Sequence, residues 1–189
     1  MFNDKIKELI EQSRIVSFSS WQDRYPSEVI EIFQQADDEK RYLTDGDLER
    51  LQELVPSLAS SLTAGKLLRD HVTEIVAQAR TEVLAAYPNI TQPGGELYPP
   101  MRAEACWRDF WHFLRCITYG ISGESLDYTS DRGLSYMKQL YRELHVPLPA
   151  MILGLEKLKF YGLQLFETSQ QSCLAPYFAR LIAIMKGFS

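Results

Sequence analysis

From one end to the other, the sequence places apolar side chains three and four positions apart. That spacing marks one face of a helix with 3.6 residues per turn, and an alternation of two is nowhere sustained. Residues 2–10 put Phe2, Ile6, Leu9 and Ile10 on one face, with Asp4, Lys5, Lys7 and Glu8 elsewhere. A break over 17–26 holds Trp21. Ser27 is then a candidate N-cap for a helix over 27–35 that carries Val29, Ile30, Ile32 and Phe33. Thr44 with Asp47 three residues on has the form of a capping box. The helix it opens carries Leu48, Leu51 and Leu54, and Pro56 interrupts it. One long helix is expected over 60–86. The strong loop is 87–100, punctuated by prolines and by Gly94–Gly95. Further helices are expected over 101–121, 128–145, 150–166 and 175–185. The pattern predicts an all-α bundle around one core, residues 27–189, preceded by a helical arm, residues 1–26. No internal repeat is visible.

The formal net charge is −5, from 25 acidic and 20 basic residues. Affinity for nucleic acid or an anionic membrane draws on positive patches, so neither partner is expected. No apolar run approaches the roughly 20 residues of a membrane span. The opening MFNDKIKELIEQSR mixes charged with apolar residues, unlike a secretory signal. Three cysteines without metal-like spacing argue against a disulfide framework and for a reducing, cytoplasmic setting.

The stretch MRAEACWRDFWHFLRCITYGI is the most informative. Arg102, Cys106, Asp109 and Phe113 follow one another at +4, +3 and +4 and share a face. Arg108, Trp111, His112 and Arg115 share another. A flat, anionic, conjugated ligand could use the whole set: thiol as covalent anchor, carboxylate for pyrrole N–H groups, arginine for propionates. The same pattern also describes a core helix with a buried cysteine, Glu104 and Arg108 forming a surface pair. Periodicity does not separate these readings. His112 and Cys116 stand four apart, but two ligands are too few for a closed metal site. His71 reads as a solvated helix residue and His145 as a helix C-terminal one. No phosphate loop and no nucleophile–base–acid set is present, so no enzyme activity is expected.

Cys106-Trp107-Arg108-Asp109, with Phe113-Leu114-Arg115 and Ile117-Thr118-Tyr119-Gly120, resembles the Cys-x-Arg-Asp helix of phycobiliproteins. Collinear matches accompany it. Arg41-Tyr42-Leu43 with Gly46-Asp47-Leu48 resembles the entry to that family's first globin helix. Pro93-Gly94-Gly95 precedes Cys106 at the family's spacing. Tyr141-Arg142-Glu143-Leu144 with Pro147, and Tyr177-Phe178 with Ile182 and Met185, resemble its later segments. The resemblance implies a globin-like bundle binding a linear tetrapyrrole, a bilin of the phycocyanobilin type. Cys106 matches the thioether-forming cysteine, Asp109 the carboxylate beneath the inner pyrrole nitrogens, Arg108 a propionate partner and Arg102 a further pocket contact. Asp37, Arg115 and Tyr119 match residues that meet across the family's subunit interface, which implies a homodimer, or a heterodimer with a phycobiliprotein-like chain. It also implies phycobilisome components as partners, at the cytoplasmic face of thylakoid membranes.

The departures are Glu96 after Pro-Gly-Gly, Ala105 where some relatives carry a propionate-binding lysine, the bulky Trp107, Trp111 and His112, and the long N-terminus. They also fit the related bilin biosynthesis-associated globins, accessory proteins that work beside bilin-making enzymes without a permanent chromophore. That reading would have Trp107 or Trp111 fill the site. On a monomer Val29, Ile30, Ile32 and Phe33 would form an exposed apolar patch, unless Phe2, Ile6, Leu9 and Ile10 fold back to cap it.

Overall fold

The computed structural model describes residues 4–188, so Phe2 lies outside the described residues. Within them the chain forms nine α-helices: α1 (Asp4–Gln12), α2 (Ser27–Asp38), α3 (Asp45–Leu54), α4 (Ala59–Asp70), α5 (Val72–Ala86), α6 (Pro100–Ser122), α7 (Asp131–Glu143), α8 (Leu148–Leu163) and α9 (Thr168–Lys186). Short 3-10 turns lie at Ser19–Trp21 and Pro56–Leu58. The extended pairing among the described residues is one isolated bridge, Val16 to Thr129.

Local chemistry explains most boundaries. The Thr44 hydroxyl accepts from the Asp47 amide at 3.1 Å, and the Asp47 carboxylate accepts from the Thr44 amide at 2.7 Å. This reciprocal cap starts α3. Ser27 is not a cap, since Pro26 takes that position and Ser27 is the first helical residue. The helix expected over 60–86 divides at His71, whose φ of −107° and ψ of 10° leave the helical region. The division lets α4 pack on α6 while α5 turns to α8. Helix α9 begins at Thr168, earlier than expected, on a cap shared by Glu167 and Gln170, and it carries Pro176 within its length.

Helix α6 is the axis of the core, packed by α4, α5, α8 and α9. Every residue from 113 to 122 is buried, as a helix that is apolar nearly all round must be. A Cβ at Gly154 of α8 would stand 2.0 Å from the Phe110 ring, so only glycine permits this approach of α8 to α6.

The arm lies on the bundle. Helix α1 runs along α7, with Lys5 paired to Glu143 at 2.6 Å. Beyond it, the Ser17 amide donates to the Tyr128 carbonyl and the Ser130 amide to the Ile15 carbonyl. Phe18 and Trp21 are buried against Phe33 and, through Phe18, Tyr119. Val29 and Phe33, the centre of the expected exposed patch, have no exposure at all. The cover is therefore Phe18 and Trp21, whereas Leu9 is buried on the α1 side and Ile10 is exposed.

Candidate functional site

The N-terminal half of α6 presents two different faces, and the structure distributes the expected residues between them. On the first, Cys106 and Asp109 form one cluster with Tyr141 of α7, whose hydroxyl donates to Asp109 Oδ2 at 3.0 Å. Asp109 Oδ1 makes no hydrogen bond among the described residues. Burial pushes the Asp109 carboxyl up to about 6, against the opposing pull of Tyr141 and Arg108. Burial also pushes the Cys106 thiol up to about 12, with Asp109 adding to it and Arg102 opposing it. The thiol is thus protonated at neutral pH and weakly nucleophilic while the site stays closed.

Arg102 belongs to the same face, but its donors go to main chain. Nε reaches the Glu96 carbonyl at 3.0 Å, and one terminal nitrogen reaches the carbonyls of Leu144 and His145 at 2.8 and 3.2 Å. It clamps the start of α6 to the α7–α8 turn. The loop that carries Pro93-Gly94-Gly95 leads into this point, with Gly94 at a φ of +90°.

Arg108 is separate. It is exposed and lines a groove between α5 and α6 with Trp107 and Trp111. Both tryptophans thus line the groove with Arg108. Glu104 and Arg108 form no ion pair among the described residues.

Asp37, Arg115 and Tyr119 meet within a single chain. Arg115 donates to Asp37 Oδ1 and to the Tyr119 hydroxyl, both at 2.8 Å, and Arg14 of the arm donates to Asp37 Oδ2. Tyr119 in turn donates to the Arg41 carbonyl. Burial and the nearby Arg115 and Arg108 push His112 down to about 4, so its imidazole is neutral, and Arg115 Nε donates to its Nδ1 at 3.3 Å. Among the described residues no three His, Cys, Asp or Glu side chains group as a metal site. Tyr141 had no separate signal in the sequence beyond its place in the Tyr-Arg-Glu-Leu match. Its role depends on a contact 32 residues away from Asp109.

The donor set suits a linear tetrapyrrole: a thiol and a carboxylate one helical turn apart, with one carboxylate oxygen making no hydrogen bond among the described residues. Residues 31–185 match the family model described as phycobilisome protein. The chain is 31% identical over 159 residues to allophycocyanin subunit alpha-B of Synechocystis sp., covering 84% of this chain and 99% of that protein. It is 32% identical over 158 residues to the allophycocyanin alpha-B chain of Synechococcus sp., covering 84% and 97%. The allophycocyanin alpha-B chain of Porphyra purpurea is 29% identical over 154 residues, covering 82% and 96%. With the all-α, globin-like bundle and the Cys106–Asp109 cluster already in place, these matches establish that the chain belongs to the phycobilisome protein family.

Proposed function

We propose that this protein holds a bilin joined to Cys106, with Asp109 at the inner pyrrole nitrogens and Arg108 at a propionate. It serves as a light-absorbing, non-enzymatic component of the phycobilisome. The single observation that carries this is the Asp109 carboxylate, one turn from Cys106, with Oδ2 held by Tyr141 and Oδ1 making no hydrogen bond among the described residues. When bound, the bilin supplies visible-light absorption. The protein's own residues orient it: Asp109 favours protonated pyrroles, and Tyr141 fixes the carboxylate plane. Arg102 holds the α7–α8 turn over the site. The protonated Cys106 thiol calls for an opening of this face, or an attaching enzyme, before the thioether forms. A bilin of the phycocyanobilin type fits the allophycocyanin likeness.

The relatives are allophycocyanin chains, and Trp107 and Trp111 line the α5–α6 groove, which favours this reading over the biosynthesis-associated one. The chain pairs with a second phycobiliprotein-like chain, its own or a paralogue, with Asp37, Arg115 and Tyr119 at the contact. The arm competes for that face through Phe18 and Trp21. No helix of the described residues is long and apolar enough to cross a membrane. The allophycocyanin likeness supports a place at the cytoplasmic face of thylakoids. Co-expression with bilin-making enzymes tests the site. The wild type should purify with an orange-to-red band. Asp109→Asn should keep the pigment but absorb further to the blue with a broader band. An unchanged spectrum in that variant would remove Asp109 from the site.

A further inference from the structure

Beside the Cys106–Asp109 face, the groove between α5 and α6 has a volume of about 650 Å³. Arg80 from α5 and Arg108 from α6 both line it, together with Trp107, Trp111, Val76 and Glu104. The Arg80 guanidinium lies over the indole of Trp107, 5.3 Å from the ring centroid. Trp107 is itself buried, so it offers a fixed platform rather than a mobile one. Neither Arg80 nor Arg108 makes a hydrogen bond or an ion pair among the described residues. By contrast, Arg14, Arg41, Arg69 and Arg115 all spend their donors on carboxylates. In a chain of net charge −5, two uncommitted guanidiniums facing one groove stand out. Glu104 leaves that groove with a net positive balance.

We infer that Arg80 is a second carboxylate-binding residue for the tetrapyrrole, so that Arg108 and Arg80 take its two propionates from opposite walls of the groove. This rests on the reading of Cys106 and Asp109 as the bilin site. Arg108 directly follows Trp107 and precedes Asp109, so a ligand held by Asp109 has the groove mouth beside it. A guanidinium meets a carboxylate through two parallel N–H donors, and stacking on Trp107 presents that fork with little rotamer freedom left to lose. The planar, conjugated ligand also finds the Trp111 indole along the same wall.

The test titrates the full-length apoprotein with biliverdin, a linear tetrapyrrole bearing two propionates, and separately with biliverdin dimethyl ester. Quenching of tryptophan fluorescence and the visible spectrum report binding. Arg80→Gln should weaken the diacid by about 5–10-fold and change ester affinity by less than about 2-fold. Arg80→Lys should restore part of the loss. Arg80 is exposed, so the variant should unfold at the wild-type temperature. Equal losses for diacid and ester, or no loss for either, would overturn the inference. If Asp109→Asn weakens binding and Arg80→Gln does not, the inference falls and the bilin site stands. If the wild type binds neither compound, both fall together.

Discussion

Replacing Trp21 by alanine removes the ring that ties the arm to the bundle. The indole is 2% exposed. Its centroid lies 4.9 Å from Phe18, 5.0 Å from Phe33 and 6.0 Å from Tyr25, and its Nε1 donates to the Asp127 carbonyl at 2.9 Å. Truncating a buried tryptophan costs about 3–5 kcal/mol. The arm is peripheral and can relax, and the exposed Asp127 can rehydrate its carbonyl, so the lower end applies, about 3 kcal/mol. For a chain of this size that is a drop of about 6–12 °C in Tm. Urea unfolding followed by far-UV circular dichroism measures it without relying on the lost fluorophore. A double-mutant cycle sharpens the result. A Cβ at Gly123 would stand 2.3 Å from the Trp21 ring, so Gly123→Ala should be costly in the wild type. In the Trp21→Ala background most of that cost should vanish, a coupling of about 1 kcal/mol or more. A loss under about 1 kcal/mol for Trp21→Ala, or additive effects of the two changes, would refute the packing of the arm on α6 and α2.

The Asp109 carboxyl, raised to about 6, keeps its proton in the folded chain between about pH 4 and 6 while the unfolded chain loses it. Stability therefore falls as pH rises through that window. Asp109→Asn removes the slope, and its stability relative to wild type should grow by about 1–3 kcal/mol from pH 4 to 7 in urea titrations; a flat difference would contradict the buried carboxyl. Cys106 and Cys116 are buried and both held at about 12, whereas Cys173 is exposed. A thiol-disulfide reagent at pH 8 should titrate one thiol in the native protein and three in denaturant, and two fast native thiols would be inconsistent with this. Deleting residues 1–26 uncovers Phe33 and Tyr119, so light scattering at micromolar concentration should show a larger mass than the full chain, reduced again by Arg115→Glu. An unchanged mass on deletion would show that the arm does not compete for this face.

What could be read in the sequence followed from local rules. The Thr44–Asp47 box, the break at Pro56, and the common face of Cys106 and Asp109 depend on residues within one or two turns. The Ser27 cap failed because Pro26 already fixes the position before the helix. The split at His71 has no local mark, because 60–86 is periodic throughout and only the different partners of α4 and α5 divide it. Trp21 was visible as an aromatic in a break, but its place beneath Gly123 depends on contacts about a hundred residues away. The same holds for Tyr141 on Asp109 and for Arg80 over Trp107, pairs that no spacing rule connects. Arg108 was legible in the same local way: the 100° step between neighbours on a helix sets it on a different face from Cys106 and Asp109, and it lines the α5–α6 groove.

Zinc-enhanced fluorescence of the denatured protein on a gel, after co-expression with bilin-making enzymes, tests the central claim most directly. It detects only pigment that is covalently attached. The account predicts a fluorescent band for wild type, Cys116→Ala and Cys173→Ala, and none for Cys106→Ala, whose folded state can be checked by circular dichroism. A bright band from Cys106→Ala, loss of the band in Cys116→Ala alone, or a dark wild type would contradict it.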